Sequence, residues 1–276
     1  MTTRERTRRS PWQKVGLAGL IVLAFLPILG FFYYMIATSL KSAIDIMSPD
    51  FRWLFRPTLD NYRTALAEND FGPYFINSFI IAFGSTSLAL IMGLPAAYAI
   101  ARRRRFGWAS TILASRLTPG IAFLIPWFIL FRTIGWLDTY QALVASHLII
   151  SLPLVIWLMV GFFEDLPDEL LEAAKVDGAS ESMAFIRIAV PLVRGGAAAA
   201  GILAFMYSWN NFLFSIVLAG RNTATLPVAV FNFMSYGSLD WGAIAAGAVI
   251  MTAPVVLLVL LAQRHIVEGL TIGSNR

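Results

Sequence analysis

Residues 141–163 read QALVASHLIISLPLVIWLMVGFF, a stretch of the chain that contains no charged side chain. The charge-free segment is bounded by Asp138 and Glu164. A helix needs roughly 20 apolar residues, with a range of about 17–25, to cross the hydrocarbon core of a bilayer. The stretch therefore predicts a transmembrane helix.

Five further windows lack charges in the same way, and the composition agrees with them. Of the 276 residues, 58% are hydrophobic and 13% are charged, whereas a soluble domain carries about 25% charged residues. Because there is no cysteine, a disulfide-stapled module and a thiolate metal site are excluded, and no metal site is predicted. We predict an all-α polytopic membrane protein with six transmembrane helices. They span residues 15–40, 75–100, 109–131, 141–163, 192–219 and 242–263.

The flanking charges predict the orientation of these helices, because Lys and Arg are enriched in cytoplasmic loops. One set of flanking segments contains most of the basic residues: Arg4, Arg6, Arg8, Arg9, Lys14, Arg102, Arg103, Arg104, Arg105, Lys175, Arg187, Arg194, Arg264 and Arg276. Both termini are thus predicted to be cytoplasmic, with residues 1–14 as a tail and 15–276 as a single transmembrane domain. The run 102–105 is interpreted as a topology anchor rather than a nucleic-acid patch. The first span is too long for a signal-peptide core and is expected to be retained.

The predicted cytoplasmic loop 164–191 has an unusual charge. Seven of the sixteen acidic residues of the chain lie between Glu164 and Glu181, beside a single base. The loop also predicts two short helices. In the first, Leu170, Ala173 and Ala174 share one face and Gly178 follows as a C-terminal cap. Ser180 can cap the second. A plain solvated hairpin is one interpretation; the other is a docking helix, because small residues let a partner backbone approach closely.

The spacing of the small residues in this loop resembles a known motif. Glu172-Ala173-Ala174, three residues, Gly178, nine residues, then Ile188-Ala189-Val190-Pro191 is similar to the EAA motif of ABC importer permeases. In that family the motif reads EAA, then G, then I-x-L-P, and this chain differs in having Val190 for the Leu. Further segments resemble the carbohydrate-uptake branch, in particular its smaller, six-span permeases of the maltose type. These are Asn77-Ser78, Ala96-Ala97-Tyr98-Ala99, residues 135–139, 208–212 and 264–270.

The resemblance implies a subunit of a larger importer in the bacterial cytoplasmic (inner) membrane. A second, different permease of six to eight spans would pair with this chain, so that the two would form a heterodimer rather than a pair of identical copies. Two ABC ATPase subunits would dock below, and an extracytoplasmic sugar-binding protein would deliver the sugar. ATP and magnesium would bind to the ATPase, and this chain would bind no cofactor and would not be an enzyme. Its sequence contains no G-x-x-x-x-G-K-[ST] phosphate loop.

The resemblance also assigns roles to residues of the loop. Glu172 would pair with a basic group of the ATPase, and Asp177 would help to fix the turn. Ala173, Ala174 and Gly178 would allow close packing. Ile188 and Pro191 complete the motif.

Two further groups of residues are candidates for contacts along the transport path. Polar and aromatic side chains interrupt the fifth predicted span, where either the sugar or the second permease would contact them: Tyr207, Trp209, Asn210 and Asn211. Arg116 is the one charge inside an apolar stretch; it lies at a gate or a permease contact, or its side chain reaches the cytoplasmic edge. A segment of the outer loop 221–241 resembles a loop that reaches into the binding protein, although an interfacial aromatic belt would have the same composition. Its residues are Phe231, Asn232, Phe233 and Tyr236.

A proton-coupled secondary transporter that uses His147 and Arg116 is the alternative function. It predicts several buried acids in the spans, and the charge-free windows contain none. An intramembrane enzyme is disfavoured because the two histidines, His147 and His265, are far apart and no carboxylate pair lies in a span. The identity of the sugar does not follow from this chain.

Overall fold

A computed structural model describes residues 11–50, 52–68, 70–103, 106–234 and 239–272, and every regular element within these ranges is helical. The first seven α-helices are α1 (Pro11–Ser39), α2 (Ala43–Ile46), α3 (Asp60–Arg63), α4 (Phe71–Arg102), α5 (Phe106–Ala114), α6 (Leu124–Thr133) and α7 (Tyr140–Glu164). The other seven are α8 (Asp168–Val176), α9 (Glu181–Ala184), α10 (Val190–Leu192), α11 (Arg194–Trp209), α12 (Leu213–Leu218), α13 (Leu226–Asn232) and α14 (Trp241–Ile272).

The all-helical, membrane-spanning class is confirmed. Within the described residues, four helices are long and apolar enough to cross a bilayer: α1, α4, α7 and α14. A fifth is obtained if residues Glu181–Leu192 and Arg194–Trp209, which meet at an angle of 78°, are counted as one span. The count of six spans stays a prediction.

The prediction that residues 109–131 form one continuous helix is wrong. The segment is divided into α5, a 3₁₀ turn at Ser115–Leu117, a second 3₁₀ turn at Gly120–Phe123 and α6. Pro119 adopts an extended ψ of 132° between the two turns. Proline lacks a backbone N–H and disfavours helical backbone in the residue before it, so the helix ends here.

The predicted helix 192–219 is also interrupted. It consists of α11 and α12, separated at residues 210–212. The side-chain oxygen of Asn211 accepts a hydrogen bond from the Phe214 N–H at 3.0 Å and so satisfies a donor in the first turn of α12. Such side-chain capping favours a new helix start over continuation of α11.

Close packing of small residues holds α4, α7 and α11 together at the centre of the molecule. Ala89, Ala97 and Ala200 are buried there. A Cβ atom at Gly93 would lie 2.7 Å from the Val155 side chain, which shows how closely α4 approaches α7. Small residues of this kind let membrane helices pack at short distance. By contrast, α1 contacts α14 and leaves most of its apolar side chains exposed.

The segments at the predicted outer end of the bundle are joined by side-chain hydrogen bonds. The Asn61 amide donates to the carbonyl oxygens of Ser39 at 3.0 Å and Lys41 at 2.8 Å, which ties α3 to the end of α1. The start of α14 lies against the same side chain, since a Cβ atom at Gly242 would clash with the Asn61 amide. The outer ends of three helices are therefore packed together.

Candidate functional site

The first helix of the loop 164–191 is α8, which has acidic residues in its first turn and a glycine cap after its last. Asp168 and Glu169 lie in the first turn of α8, where their negative charges interact favourably with the positive end of the helix dipole. At the other end Gly178 has a φ of +85°, and its N–H donates to the Lys175 carbonyl at 3.0 Å. The Ala179 N–H donates to the Ala174 carbonyl at 2.9 Å, which completes a Schellman cap. The prediction that Gly178 ends this helix is confirmed.

The second predicted helix of the loop also begins as expected. The Ser180 hydroxyl accepts a hydrogen bond from the Met183 N–H at 3.2 Å and caps α9. The chain then continues through a π-helical turn at Phe185–Ala189 into α10. Ile188 is half-buried in this turn, and Pro191 is exposed beyond it. Both lie on the path from the loop to α11.

The residues of α8 that were predicted to share one face, Leu170, Ala173 and Ala174, do not share one environment. Leu171 is 1% exposed and Ala174 is 7% exposed, whereas Leu170 is 46% exposed and Ala173 is also exposed. The reason is tertiary: the loop folds back on the membrane helices, and Leu171 joins their core. Ala173 and the apolar side chains of Leu170 and Val176 consequently face outwards.

An aromatic cluster connects this loop to two long helices. Tyr98 of α4 lies 5.4 Å from Phe163 of α7 and 5.0 Å from Phe185 of the loop, measured between ring centroids. The rings of Phe163 and Phe185 are 6.2 Å apart, so the three rings are in mutual contact. The loop is therefore packed against α4 and α7 as one unit.

An ion pair adds a second connection on the same side. The Arg102 guanidinium at the end of α4 donates to the Asp168 carboxylate at the start of α8. Beside this pair is a pocket of about 310 Å³ that Glu164 and Glu172 also line. The carboxyl groups of Glu172 and Asp177 belong to exposed residues. Both acids are accessible to a partner at the surface of the loop.

The polar residues of the fifth predicted span do not share one environment. Tyr207 is 49% exposed and Asn210 is exposed, although the Asn210 amide donates to the Met206 carbonyl at 2.9 Å. Trp209 is 1% exposed, and its indole N–H donates to the Met251 carbonyl of α14 at 2.9 Å. Asn211 is half-buried and caps α12. Trp209 thus lies in the core of the chain, whereas Tyr207 and Asn210 lie at its surface.

Arg116 and the outer aromatic residues are described only in part. The backbone of Arg116 lies in the 3₁₀ turn after α5, and its side chain is outside what the structure describes. Phe231, at the end of α13, is 42% exposed and contacts Phe212 at a centroid distance of 5.1 Å. Asn232 and Phe233 are half-buried, and the Phe233 ring stacks on Phe71 at 5.3 Å. Tyr236 lies outside the described residues.

A buried polar cluster connects α4, α7 and α11 between the two ends. His147 Nδ1 lies 2.7 Å from the Ser208 hydroxyl, which also accepts a hydrogen bond from Ser85 at 2.9 Å. His147 is 2% exposed, and its Nε2 has no hydrogen-bond partner. No carboxylate takes part in this cluster, and the described residues contain no group of three or more side chains suited to a metal ion. Within the described residues, His147 therefore has no neighbouring carboxyl groups that could relay a proton to it.

A second polar network lies at the predicted outer end, around a residue to which the sequence assigns no individual role. Asp138, between α6 and α7, has a left-handed φ of 57°. Its carboxylate accepts hydrogen bonds from the backbone N–H groups of Gly220, Asn222 and Thr223 at 2.8, 3.2 and 3.0 Å. It also accepts from the Thr223 hydroxyl at 2.7 Å and the Asn222 amide at 2.8 Å. The sequence pointed to these residues only through the resemblance of 135–139 and Asn77-Ser78 to segments of carbohydrate-uptake permeases.

The electrostatics of this network favour the ionised carboxylate. Partial burial raises the pKa of Asp138, but the hydrogen bonds from the Thr223 hydroxyl and from the N–H groups of Asn222, Gly220 and Thr223 outweigh it. The pKa of Asp138 is therefore below its ordinary value, because hydrogen bonds to the charged form stabilise that form.

The chain as a whole is similar in sequence to known proteins. Residues 85–272 match the family described as binding-protein-dependent transport system inner membrane components. A probable ABC transporter permease protein of Sinorhizobium fredii is 36% identical over 255 residues, which are 92% of this chain and 92% of that protein. The trehalose transport system permease protein of Mycobacterium tuberculosis is 39% identical over 223 residues, 79% of this chain and 81% of that protein.

A more distant relative and a solved structure agree with these matches. The trehalose/maltose transport system permease protein of Thermococcus litoralis is 31% identical over 265 residues, 94% of this chain and 95% of that protein. Among solved structures, a chain of a bacterial ABC transporter involved in the import of the acidic polysaccharide alginate superimposes with a TM-score of 0.71. The two chains are 19% identical, and the match covers 93% of this chain and 98% of the other. That likeness shows a common fold.

Proposed function

Because the chain belongs to the family of binding-protein-dependent transport system inner membrane components, we propose that it lines a sugar pathway and is driven through loop 164–191 by a separate ATPase. The chain is a permease subunit of an ABC importer in the inner membrane and is not itself a catalytic subunit. The observation that carries the proposal is the geometry of the loop: it is locked to α4 and α7 on one side and exposes small and apolar residues on the other.

The exposed side of the loop is suited to a protein partner. Val176 is 88% exposed, Ile186 is 63% exposed and Met183 is 41% exposed, and the exposed acids Glu172 and Asp177 lie in the same loop. Apolar side chains in water favour burial by a partner. The negative surface of the membrane would repel these acids. They would instead pair with basic groups of the ATPase.

The locked side of the loop provides a route for movement. Tyr98, Phe163 and Phe185 pack together, so a displacement of the loop would carry α4 and α7 with it. Packed elements transmit rigid-body motion between sites in this way. Closure of the ATPase pair on ATP would move the loop and switch the pathway from inward-facing to outward-facing.

The topology in this proposal has six spans, with both termini and loop 164–191 in the cytoplasm. The two spans beyond the four long helices are formed by α5 with α6 and by α11 with α12. Their breaks at Pro119 and at residues 210–212 are tolerated where protein rather than lipid surrounds them. Residues 15–276 form the transmembrane domain, and residues 1–14 are a cytoplasmic tail.

The sugar pathway would run along the exposed polar side of α11. Tyr207 and Asn210 offer an aromatic face and an amide at the surface of the chain. A second permease of six to eight spans would close the pathway and contact the same surface. Trp209 supports that surface from the core, and Asn211 fixes the turn that follows it.

The assembled importer would contain this chain, the second permease, two ABC ATPase subunits and an extracytoplasmic sugar-binding protein. ATP and magnesium would bind to the ATPase subunits alone. Phe231, Asn232, Phe233 and Tyr236 would contact the binding protein at the outer end. Relatives named for trehalose, trehalose/maltose and diacetylchitobiose transport support a sugar or sugar derivative as the substrate and define a panel for testing.

Substitution in the loop tests the coupling role. The assembled complex carrying Glu172→Gln is compared with Asp165→Asn, which removes a charge from an exposed residue of the same loop outside the EAA motif. ATP hydrolysis is measured with and without the binding protein and a panel sugar that it binds. We expect Glu172→Gln to lose stimulation by the loaded binding protein, with ATPase subunits that hydrolyse ATP normally when isolated. Native stimulation and uptake in this variant would contradict the coupling role of Glu172.

A further inference from the structure

The segment 219–225 between α12 and α13 is held by side chains from other elements. The N–H groups of Gly220, Asn222 and Thr223 donate to the Asp138 carboxylate. The carbonyl oxygens of Asn222 and Ala224 accept from the Asn77 amide at 3.0 and 2.9 Å. A loop without its own helical or strand hydrogen bonds needs such partners to keep one conformation.

Asp138 is placed for this task by its own backbone. Its N–H donates to the Leu218 carbonyl at 3.0 Å, so the residue is bound to the end of α12 as well as to the segment that follows. Aspartate is one of the few residues that tolerate the left-handed conformation found here. The approach is close, since a Cβ atom at Gly220 would lie 2.7 Å from the carboxyl carbon.

Two long helices provide the fixed frame for the same segment. The Asn77 oxygen on α4 accepts a hydrogen bond from the Tyr140 hydroxyl on α7 at 2.6 Å. The next residue of α4, Ser78, accepts through its hydroxyl from the Leu226 N–H at 2.8 Å, at the first residue of α13. The segment and the start of α13 are thereby joined to α4 and α7.

The fixed segment determines which residues of α13 reach the surface. Leu226, Val228 and Ala229 are buried, whereas Phe231 at the far end is 42% exposed. Arg221 and Asn222 are exposed on the segment itself. The exposed residues therefore lie on a surface whose backbone is set by Asp138 and Asn77.

We propose that Asp138 is a positioning residue for the docking of the extracytoplasmic sugar-binding protein, because its carboxylate holds segment 219–232 in the conformation that the binding protein contacts. This inference rests on the proposed function. Asp138 itself does not need to touch the binding protein or the sugar. The ionised carboxylate is the required form, since each of its five neutral donors forms a charge-assisted hydrogen bond.

The test uses the whole transporter in lipid nanodiscs and titrates it with its purified binding protein, loaded with a panel sugar that this protein binds. Asp138→Asn removes the charge and Thr223→Val removes the hydroxyl donor. Thr223→Ser retains that hydroxyl, and Asp50→Asn neutralises an exposed acid on the same predicted side. The measured quantity is the concentration of binding protein that half-saturates the stimulation of ATP hydrolysis.

We expect this concentration to rise about tenfold in Asp138→Asn and in Thr223→Val, the scale on which a lost charge-assisted hydrogen bond changes an equilibrium. It should stay at the native value in Thr223→Ser and Asp50→Asn, and the basal and maximal rates of hydrolysis should stay native in all four variants. Amide hydrogen exchange should accelerate at Gly220, Asn222 and Thr223 in the first two variants only.

Three results would overturn the inference. An unchanged half-saturating concentration in Asp138→Asn, with a native complex that responds to the binding protein, refutes the positioning role alone. Lower yield and lower maximal rate at an unchanged half-saturating concentration would show that Asp138 only stabilises the fold. If the native complex is not stimulated by the binding protein, the proposed function itself fails, and the role of Asp138 fails with it.

Discussion

Replacing Gly178 by alanine tests whether loop 164–191 depends on the backbone conformation of its turn. The φ of Gly178 is +85°, in the region that residues with a Cβ atom avoid. No atom lies within 4 Å of the place where a Cβ would be, so the substitution adds no clash within this chain. The whole intramolecular effect should therefore come from the backbone.

The size of the effect follows from the cost of that conformation. A residue with a Cβ atom in left-handed backbone costs about 1–2 kcal/mol, which lowers the population of the native turn by about 5- to 30-fold relative to other turns. If the ATPase binds only the native turn, the apparent affinity of the permease for the ATPase falls by up to the same factor. Asparagine tolerates left-handed backbone better than alanine, so Gly178→Asn should lose less affinity than Gly178→Ala.

The assay titrates the ATPase subunit into the permease pair in nanodiscs and measures ATP hydrolysis stimulated by the loaded binding protein. We expect the affinity of the permease for the ATPase to be highest in the native chain, lower in Gly178→Asn and lowest in Gly178→Ala. The same affinity in Gly178→Ala and the native chain would refute the conformational requirement. A lower affinity for the asparagine variant than for the alanine variant would show that glycine is needed for space against the ATPase instead.

Three other predictions concern the fold and its outer network. Gly196→Ala should lower the unfolding temperature, because its Cβ would lie 2.5 Å from the Phe162 ring and overpacking costs about 1–3 kcal/mol. Gly161→Ala, in α7 with open space at the Cβ, is the control; because alanine favours helix over glycine, it should unfold at or above the native temperature. Trp209→Phe should cost about 1–3 kcal/mol, since it removes a hydrogen bond to α14 and leaves a cavity, and unchanged thermal unfolding in detergent would contradict the packing described here. The pKa of Asp138 in the folded chain lies below its ordinary value of 3.8. The ionised carboxylate should therefore stabilise the fold fully at pH values above 3.8, and this stabilisation should be lost as the pH falls through the lower pKa of the folded state. A stability difference between Asp138→Asn and the native chain that disappears already near neutral pH would contradict this.

The long helices could be predicted from the positions of the charges. Predicted boundaries of 75–100 and 141–163 compare with Phe71–Arg102 and Tyr140–Glu164 in the structure. The caps of loop 164–191 were also predictable, because Gly178 and Ser180 act through hydrogen bonds that span at most five residues along the chain. Features determined by local chemistry are those that a single sequence reveals.

Other features depend on contacts between distant parts of the chain. Pro119 divides 109–131 into separate helices, whereas Pro95 and Pro153 lie inside continuous helices, so a proline in the sequence does not by itself show which segment is broken. Leu171 rather than Leu170 is buried because the loop folds back on α4 and α7, which the period of the pattern does not encode. The Asp138 carboxylate bonds to residues more than eighty positions away, and only the folded chain brings them together.

The central claim is that this chain transports a sugar with energy from ATP hydrolysed on a partner subunit. The most direct measurement is uptake of a labelled panel sugar into proteoliposomes that contain the complete complex, with ATP inside and the binding protein outside. We predict uptake that requires both ATP and the binding protein and continues when a protonophore collapses the proton gradient. Uptake driven by a proton gradient without ATP would contradict the account and support a proton-coupled transporter instead.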